Sequence, residues 1–503
     1  MLVSRFDSQL LYRSHDIRAT ELAAAALDPA PDLMQRAGRA AAELAEHLLG
    51  NRYGVLVLAG PGNNGGDALV AARHLKQRWY RVDVVLAGDP ATLPADAAAA
   101  LRAWLDCGGT VLPDIPAAGR WDLVVDGLFG IGLARDLGGK YLDLVKQLNR
   151  METPILALDI PSGLDSETGQ PFRAAVLADH TLTFIGLKPG LFTANGPDYC
   201  GKVHLATLDL PAELLPTSKG ALIGESEVAA YLKPRPRNSH KGMLGSVGVL
   251  GGAESMTGAA LLAGRAALLL GAGRVYLGLL AENTPAVDFG QPELMLRSPE
   301  DLFHSDLDCL VIGPGLGLSA HALGHLRRAL ESELKLVLDA DALNLLASHP
   351  ELQDLLKSRK AAAILTPHPA EAGRLLACTN HEIQQDRIGS ALVLASRFDS
   401  LLVLKGAGTV CAWPDGTWRI NPSGNPGLSS AGMGDILCGM IAALIGQRLA
   451  AEQATLLAVH LHGLAADELV AQGSGPIGLT ASEVALKARQ LLNRLVYGEG
   501  RRL

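Results

Sequence analysis

Short β-prone runs recur along this chain, and helix-length segments separate most of them. That alternation constrains the fold more than any single motif does. In the first half the runs are GVLVLAG (54–60), RVDVVLA (81–87), WDLVVD (121–126), PILALD (154–159), HTLTF (180–184) and KVHLA (202–206). Near-continuous apolar strands joined by helical crossovers build βαβ units and a mainly parallel sheet, because both sheet faces are then covered. Over 211–240 the rhythm gives way to proline, glycine and charge, which marks a domain boundary. A second alternation follows: SVGVLGG (246–252), GRVYLGL (273–279), DCLVIG (308–313), KLVLDA (335–340), AAIL (362–365) and LLVLK (401–405). GTVCAWPDGTWRIN then places Pro-Asp-Gly between two β-prone runs, which predicts a hairpin at the sheet edge. From Ala431 to about Leu495 the chain reads as Ala/Leu-rich helix. Two α/β domains are expected, over 1–218 and 219–503.

Composition narrows the function classes. At 503 residues with 4% aromatic residues, the chain suits Ala-rich helices packed on strands. A net charge of −8 provides no basic footprint for nucleic acid. The six cysteines are scattered with no Cys-x-x-Cys pair, which argues against zinc sites and disulfide frameworks and for a reducing compartment. MLVSRFDSQLLYRSHDIRATE has no apolar core of an export signal, so a cytoplasmic location is expected. The apolar window from Met256 is broken by Arg265 and glycines, reads as a buried helix, and gives no reason to expect a membrane partner.

In open parallel sheets, ligands bind beyond the carboxyl ends of the strands. Three polar features of the first half fall there: the loop Pro61–Asp67, Asp126 and Asp159. The loop GPGNNGGD lacks the Lys-Ser/Thr of a Walker loop and the G-x-G-x-x-G of dinucleotide folds. Its glycines allow close backbone approach, and its asparagines offer amide oxygens. Asn64, Asp126 and Ser162 together supply one carboxylate and two neutral oxygens, a set suited to a monovalent hard cation. Taken singly, each Asp could equally cap a helix. Asp159 is the candidate proton-transfer residue by position, with Lys188 a weaker one. Arg135 and Tyr141 follow Asp126 in a glycine-rich stretch where an Arg could hold a phosphate.

The second half carries NPSGNPGLSSAGMGDILCGMIAALIG (421–446), small residues leading into a helix with Asp435 in its first turn. Helix N-termini attract anions, and a carboxylate there can accept a proton from a substrate hydroxyl, so phosphoryl transfer fits. Further strand ends carry GPGLG (Gly313 to Gly317), Asp339 and Asp341, His368, and Lys405 to Thr409.

Together GPGNNGGD, DGLFGIGLARD, LDIPSGLDSETG and GLKPGL resemble the first domain of the bifunctional NAD(P)H-hydrate repair enzymes. NSHKGMLGSVGVLGG, GPGLG, DADALN, TPHPAE, KGAGT and GMGD resemble, in order, the ribokinase-like dehydratase domain of the same family. The resemblance implies a Rossmann-like three-layer epimerase domain followed by a ribokinase-like α/β ADP/ATP-dependent dehydratase domain. In the first domain it implies hydrated NADH or NADPH on Asn63, Asn64, Gly65, Gly66, Asp67, on Gly130, Ile131, Gly132, Leu133, Ala134, Arg135, Asp136, and on Tyr141 and Asp159, with K⁺ at Asn64, Asp126 and Ser162. In the second it implies adenine nucleotide at Lys405, Gly406, Ala407, Gly408, Thr409 and Gly434, Mg²⁺ with that nucleotide, hydrated cofactor at Gly258, Ala259, Gly317, His368 and Asp435, and Asp435 as catalytic base. ADP is the expected co-substrate, with ATP the alternative, and a homo-oligomer is expected. Two departures stand out: Ala68 and Ala431 occupy positions where the family pattern has glycine. The rival expectations are a vitamin-precursor kinase on the same fold, and a first half that only binds or scaffolds.

Overall fold

The computed structural model describes residues 2–3, 6–7, 9–284 and 286–498. The chain divides into two compact units, Met1–Gly220 and Ala221–Leu503.

In the first unit the strand order is Leu2–Val3, Lys202–Ala206, His180–Phe184, Ile155–Leu158, Leu123–Gly127, Gly54–Ala59, Arg81–Leu86, Val111–Leu112. Every pairing is parallel except that of Leu2–Val3 with Lys202–Ala206. Side chains alternate across a strand. Val55, Val57 and Ala59 therefore pack with residues of the helices Leu33–Leu49, Asn63–Gln77 and Ala95–Asp106, while Leu56 and Leu58 pack on the other face with the helix Gly139–Leu148. This is the expected three-layer arrangement. Chain order runs one way from Gly54–Ala59 through Arg81–Leu86, then returns through Leu123–Gly127 on the opposite side. The switch point thus lies between the strand that feeds GPGNNGGD and the strand that contains Asp126.

The second unit repeats the principle with a different edge. Its order is Met295–Arg297, Arg274–Leu279, Ser246–Gly251, Cys309–Ile312, Lys335–Leu338, Ala363–Leu365, Leu401–Leu404, Val410–Ala412, Trp418–Ile420 and Gly220–Leu222. Pairing is parallel as far as Leu401–Leu404 and antiparallel over the next two strands, which form the expected hairpin. The helix Met433–Gly446 is buried along nearly its whole length, in a core shared with Thr257–Leu269, Ala451–Ala471 and Ala481–Tyr497. Ala451–Ala471 is long and apolar enough to cross a membrane by composition, but 67% of its most apolar 18-residue window is buried.

Candidate active sites

In the first unit the turn after Gly54–Ala59 leads into the helix Asn63–Gln77, and its first turn is Asn-Asn-Gly-Gly. Asn64 is buried, donates from Nδ2 to Leu158 O at 3.2 Å, and keeps a buried Oδ1 without a hydrogen-bond partner. Asp126, fully buried, accepts from Ser162 N at 2.9 Å, Ser162 Oγ at 2.7 Å and Leu128 N at 3.2 Å. Burial raises its carboxyl above the usual range, and these hydrogen bonds oppose the rise. Asp159 sits in the left-handed region at φ 65, a strained backbone for an Asp that tends to mark functional sites. Its Oδ1 accepts from Lys188 Nζ at 2.6 Å, and its Oδ2 accepts from Ile131 N at 3.3 Å. A Cβ on Gly130 would stand 3.0 Å from Asp159 Oδ2 and 3.4 Å from the Asn64 amide carbon, so the glycine lets that loop lie close across both.

Lys188 is not a free acid or base. Its ammonium is fully buried and donates to Asp159, to Thr183 Oγ1 at 2.8 Å and to Phe184 O at 2.7 Å, which uses all its donors. It positions Asp159 instead. Asp67 is held toward its neutral, protonated form: burial, then the charges of Asp159 and Glu21, push its carboxyl well above the usual range. Tyr141 packs edge-on against Phe129 at 4.9 Å. Ala134, Arg135 and Asp136 face solvent, with Gly132 also exposed and Leu133 half-buried. Gly65 and Gly66 are buried, and Asn63 is exposed at the helix start. Ala68, where the family pattern has glycine, is buried beside the strand end: a Cβ on Gly127 would lie 2.5 Å from its methyl.

In the second unit, Asp339 ends the strand Lys335–Leu338 and is almost wholly buried. Its Oδ1 accepts from Lys405 Nζ at 2.6 Å and its Oδ2 from Cys438 Sγ at 3.2 Å. Burial would raise Asp339, but the Lys405 charge and these hydrogen bonds hold it below the usual carboxylate range. Burial likewise opposes the Lys405 charge, and Asp339 and Glu371 more than restore it. Lys405 also lies 3.8 Å from Glu371 Oε2. A Cβ on Gly434 would stand 3.2 Å from Lys405 Nζ and 3.4 Å from Asp339 Oδ2, which places the start of Met433–Gly446 directly over the pair. Asp435 is one residue on. Burial, then Asp339 and Glu371, raise its carboxyl to about 7 against the opposing pull of Lys405.

His368 caps the helix Pro369–Leu376, its Nδ1 accepting from Ala370 N at 3.1 Å and Glu371 N at 3.3 Å. Its Nε2 lies 3.2 Å from Glu371 Oε1, so the ring is held while its outer part stays exposed. Gly317 N donates to Asp341 Oδ2 at 2.8 Å, which ties the GPGLG loop to the strand end bearing Asp339. A Cβ on neighbouring Gly315 would lie 3.4 Å from Ala259 Cβ, so Gly258 and Ala259 adjoin the same loop. Lys405 to Thr409 spans the turn into the next antiparallel strand; Gly406 and Ala407 are exposed, while Gly408 and Thr409 are half-buried. Beneath it the buried Arg387 donates to Leu404 O and Lys405 O, both at 3.2 Å. Arg387, Glu371 and Cys438 went unassigned in sequence. The available signal was their place in the first turn of a helix, Glu371 three residues after His368 and Arg387 directly after Asp386. The Ala431 methyl is exposed and therefore does not crowd the loop.

Comparison with known proteins matches both halves of the chain. The family model described as NAD(P)H-hydrate dehydratase matches residues 247–488, and that of the YjeF-related protein N-terminus matches residues 30–190. The bifunctional NAD(P)H-hydrate repair enzyme Nnr of Escherichia coli is 38% identical over 468 residues, covering 92% of this chain and 89% of that protein. The chain belongs to the bifunctional NAD(P)H-hydrate repair enzyme family. Its relative in Coxiella burnetii is 37% identical and is covered over 99% of its length, with 96% of this chain aligned. The Bacillus subtilis ADP/ATP-dependent NAD(P)H-hydrate dehydratase, solved with ATP and Mg²⁺, is 30% identical over 54% of this chain and 97% of its own, with a TM-score of 0.48.

Proposed function

We propose that this enzyme repairs hydrated nicotinamide cofactors. Its first unit interconverts the R and S hydrates of NADH and NADPH, and its second dehydrates the S form at the expense of ADP, or of ATP. The observation that carries this is the setting of Asp435: a carboxyl tuned to about 7, at the start of a helix and beside an anchored ammonium. The match along both halves favours it over the vitamin-precursor kinase and over a scaffolding first half.

Hydroxide leaves a ring carbon poorly, and phosphate leaves well. Asp435 accepts the proton of the substrate hydroxyl as its oxygen attacks the terminal phosphorus of the nucleotide, and a base with a pKa near the working pH suits that task. The amides of Ala431 to Gly434 and the Lys405 ammonium neutralise charge on the transferred group. The ring nitrogen's lone pair then expels phosphate, and loss of the neighbouring C–H proton restores the dihydronicotinamide. Asp339 and Glu371 are both drawn to Lys405, so Mg²⁺ would be held mainly by phosphate oxygens and water. When bound, it would neutralise phosphate charge during transfer.

In the first unit Asp67, favoured in its neutral form, gives a proton to the hydroxyl as the C–O bond breaks and water leaves, the ring nitrogen's lone pair forming the iminium; water re-adds on the other face as Asp159, fixed by Lys188, takes its proton. The unpartnered Asn64 Oδ1 fits a cation, and Asn64, Asp126 and Ser162 would hold K⁺. There it would offset the Asp126 charge and fix the glycine loop. All six cysteines are free, which supports a cytoplasmic location, and a homo-oligomer is part of the same proposal.

The test is incubation with mixed epimers of hydrated NADH, K⁺, Mg²⁺ and ADP or ATP, following return of NADH absorbance. Both epimers should return. No return of either would refute the proposal.

A further inference from the structure

We propose that Glu300, His321 and His325 form a site for one zinc-like divalent metal ion on the second unit, apart from the nucleotide machinery. His321 and His325 lie one turn apart on the helix Ala320–Glu331, so both rings project from the same face. Glu300 reaches them from the short helix Pro299–Leu302. Their ligand atoms converge: His321 Nε2 to His325 Nε2 is 2.9 Å, His321 Nε2 to Glu300 Oε1 is 3.4 Å, and His325 Nε2 to Glu300 Oε1 is 3.6 Å. A tetrahedral metal with bonds of about 2.0–2.1 Å needs ligand atoms roughly 3.4 Å apart, and these separations bracket that value. Among the described residues this is the one group of three or more His, Cys, Asp or Glu residues whose ligand atoms all converge within 4.8 Å.

Hydrogen bonding accounts for the cluster less completely. A single Nε2–H would have to be shared between the other ring at 2.9 Å and Glu300 Oε1 at 3.4 Å, whereas a cation between the three ligand atoms engages all of them. The site is also pre-organised. His325 is 7% exposed and stacks on Phe303 at 6.1 Å and 7°, and Arg328 lies over the Phe303 ring at 4.3 Å. His321 and Glu300 are each 58% exposed, leaving the fourth position open to water. Two imidazoles and one carboxylate select zinc, cobalt, nickel or copper over Mg²⁺. The metal would join the two helices just beyond the Gly313–Gly317 loop.

The full-length protein, stripped with chelator, would be titrated with Zn²⁺ by calorimetry and with Co²⁺ by visible absorption. Wild type should bind one more equivalent of each than H321A or E300Q, with the tetrahedral Co²⁺ band lost and affinity at least about tenfold weaker in both variants. Millimolar Mg²⁺ should not displace Zn²⁺. Both substituted side chains are exposed, and circular dichroism would verify folding. Equal binding by wild type and both variants, or displacement by Mg²⁺, would overturn the proposal.

Discussion

Both units carry a buried lysine–aspartate pair at 2.6 Å, and the two pairs are turned in opposite directions. In the first, the Lys188 side chain is 0% exposed and Asp159 12%; in the second, the Asp339 side chain is 2% exposed and Lys405 19%. One site hides the cation and presents a carboxylate, which under the proposed function would move protons on and off the substrate hydroxyl. The other hides the carboxylate and presents an ammonium, as a phosphate requires. Under the proposed function the same kind of ion pair would serve two chemistries according to which partner is the more exposed, and the surroundings fix which partner that is. Thr183 and Phe184 consume the remaining Lys188 donors, whereas Cys438 occupies the second Asp339 oxygen.

The largest effect should come from Asp435→Asn. Dehydration is expected to fall by about 10²–10⁴ while epimerisation persists, measured by separating the epimers chromatographically. In wild type, dehydration should rise with pH through about 7 as Asp435 loses its proton. The stability effect has the opposite sense. A carboxyl raised to about 7 on folding keeps a proton that the unfolded chain has released, so stability falls as pH climbs from roughly 4 to 7. D435N should therefore melt above wild type at pH 8 and alongside it near pH 4.

Next in size is the contrast between Lys188→Met and Lys405→Met. Each leaves a buried carboxylate unpaired, at a cost of about 3–5 kcal/mol. Only K405M should also raise the KM for nucleotide, by tenfold or more, while K188M should lose epimerisation and keep dehydration. Equal behaviour of the two in both assays would break the comparison. Asn64→Ala should weaken the K⁺ dependence of epimerisation several-fold and leave dehydration intact. The smallest effect is expected of Ala431→Gly. With the methyl exposed, dehydration should change less than about twofold, within the range usual for surface substitutions.

The apolar strands that form the two sheets were legible because their runs are bounded by glycine, proline and charge. Val111–Leu112, Met295–Arg297 and Gly220–Leu222 were not, since two or three residues carry no period and pair only because a neighbour offers an edge. The glycine loops and strand-end acids announced both candidate sites. What the sequence concealed was pairing at a distance. Lys405 meets Asp339 across 66 positions and Lys188 meets Asp159 across 29, so whether a lysine is a reagent or an anchor depends on acceptors that no local pattern names. Lys188 looked like a possible acid/base for that reason, and its three buried acceptors remove it from the role.

The opposite orientation of the two pairs is tested most directly by Asp159→Asn in the full-length enzyme, given mixed epimers of hydrated NADH with K⁺, Mg²⁺ and ADP. Asparagine keeps the shape and removes the carboxylate. The S form should return to NADH at the wild-type rate while the R form persists, its conversion slowed by about 10² or more. Return of both epimers at wild-type rates would contradict the assignment of Asp159 as the exposed, reacting member of its pair.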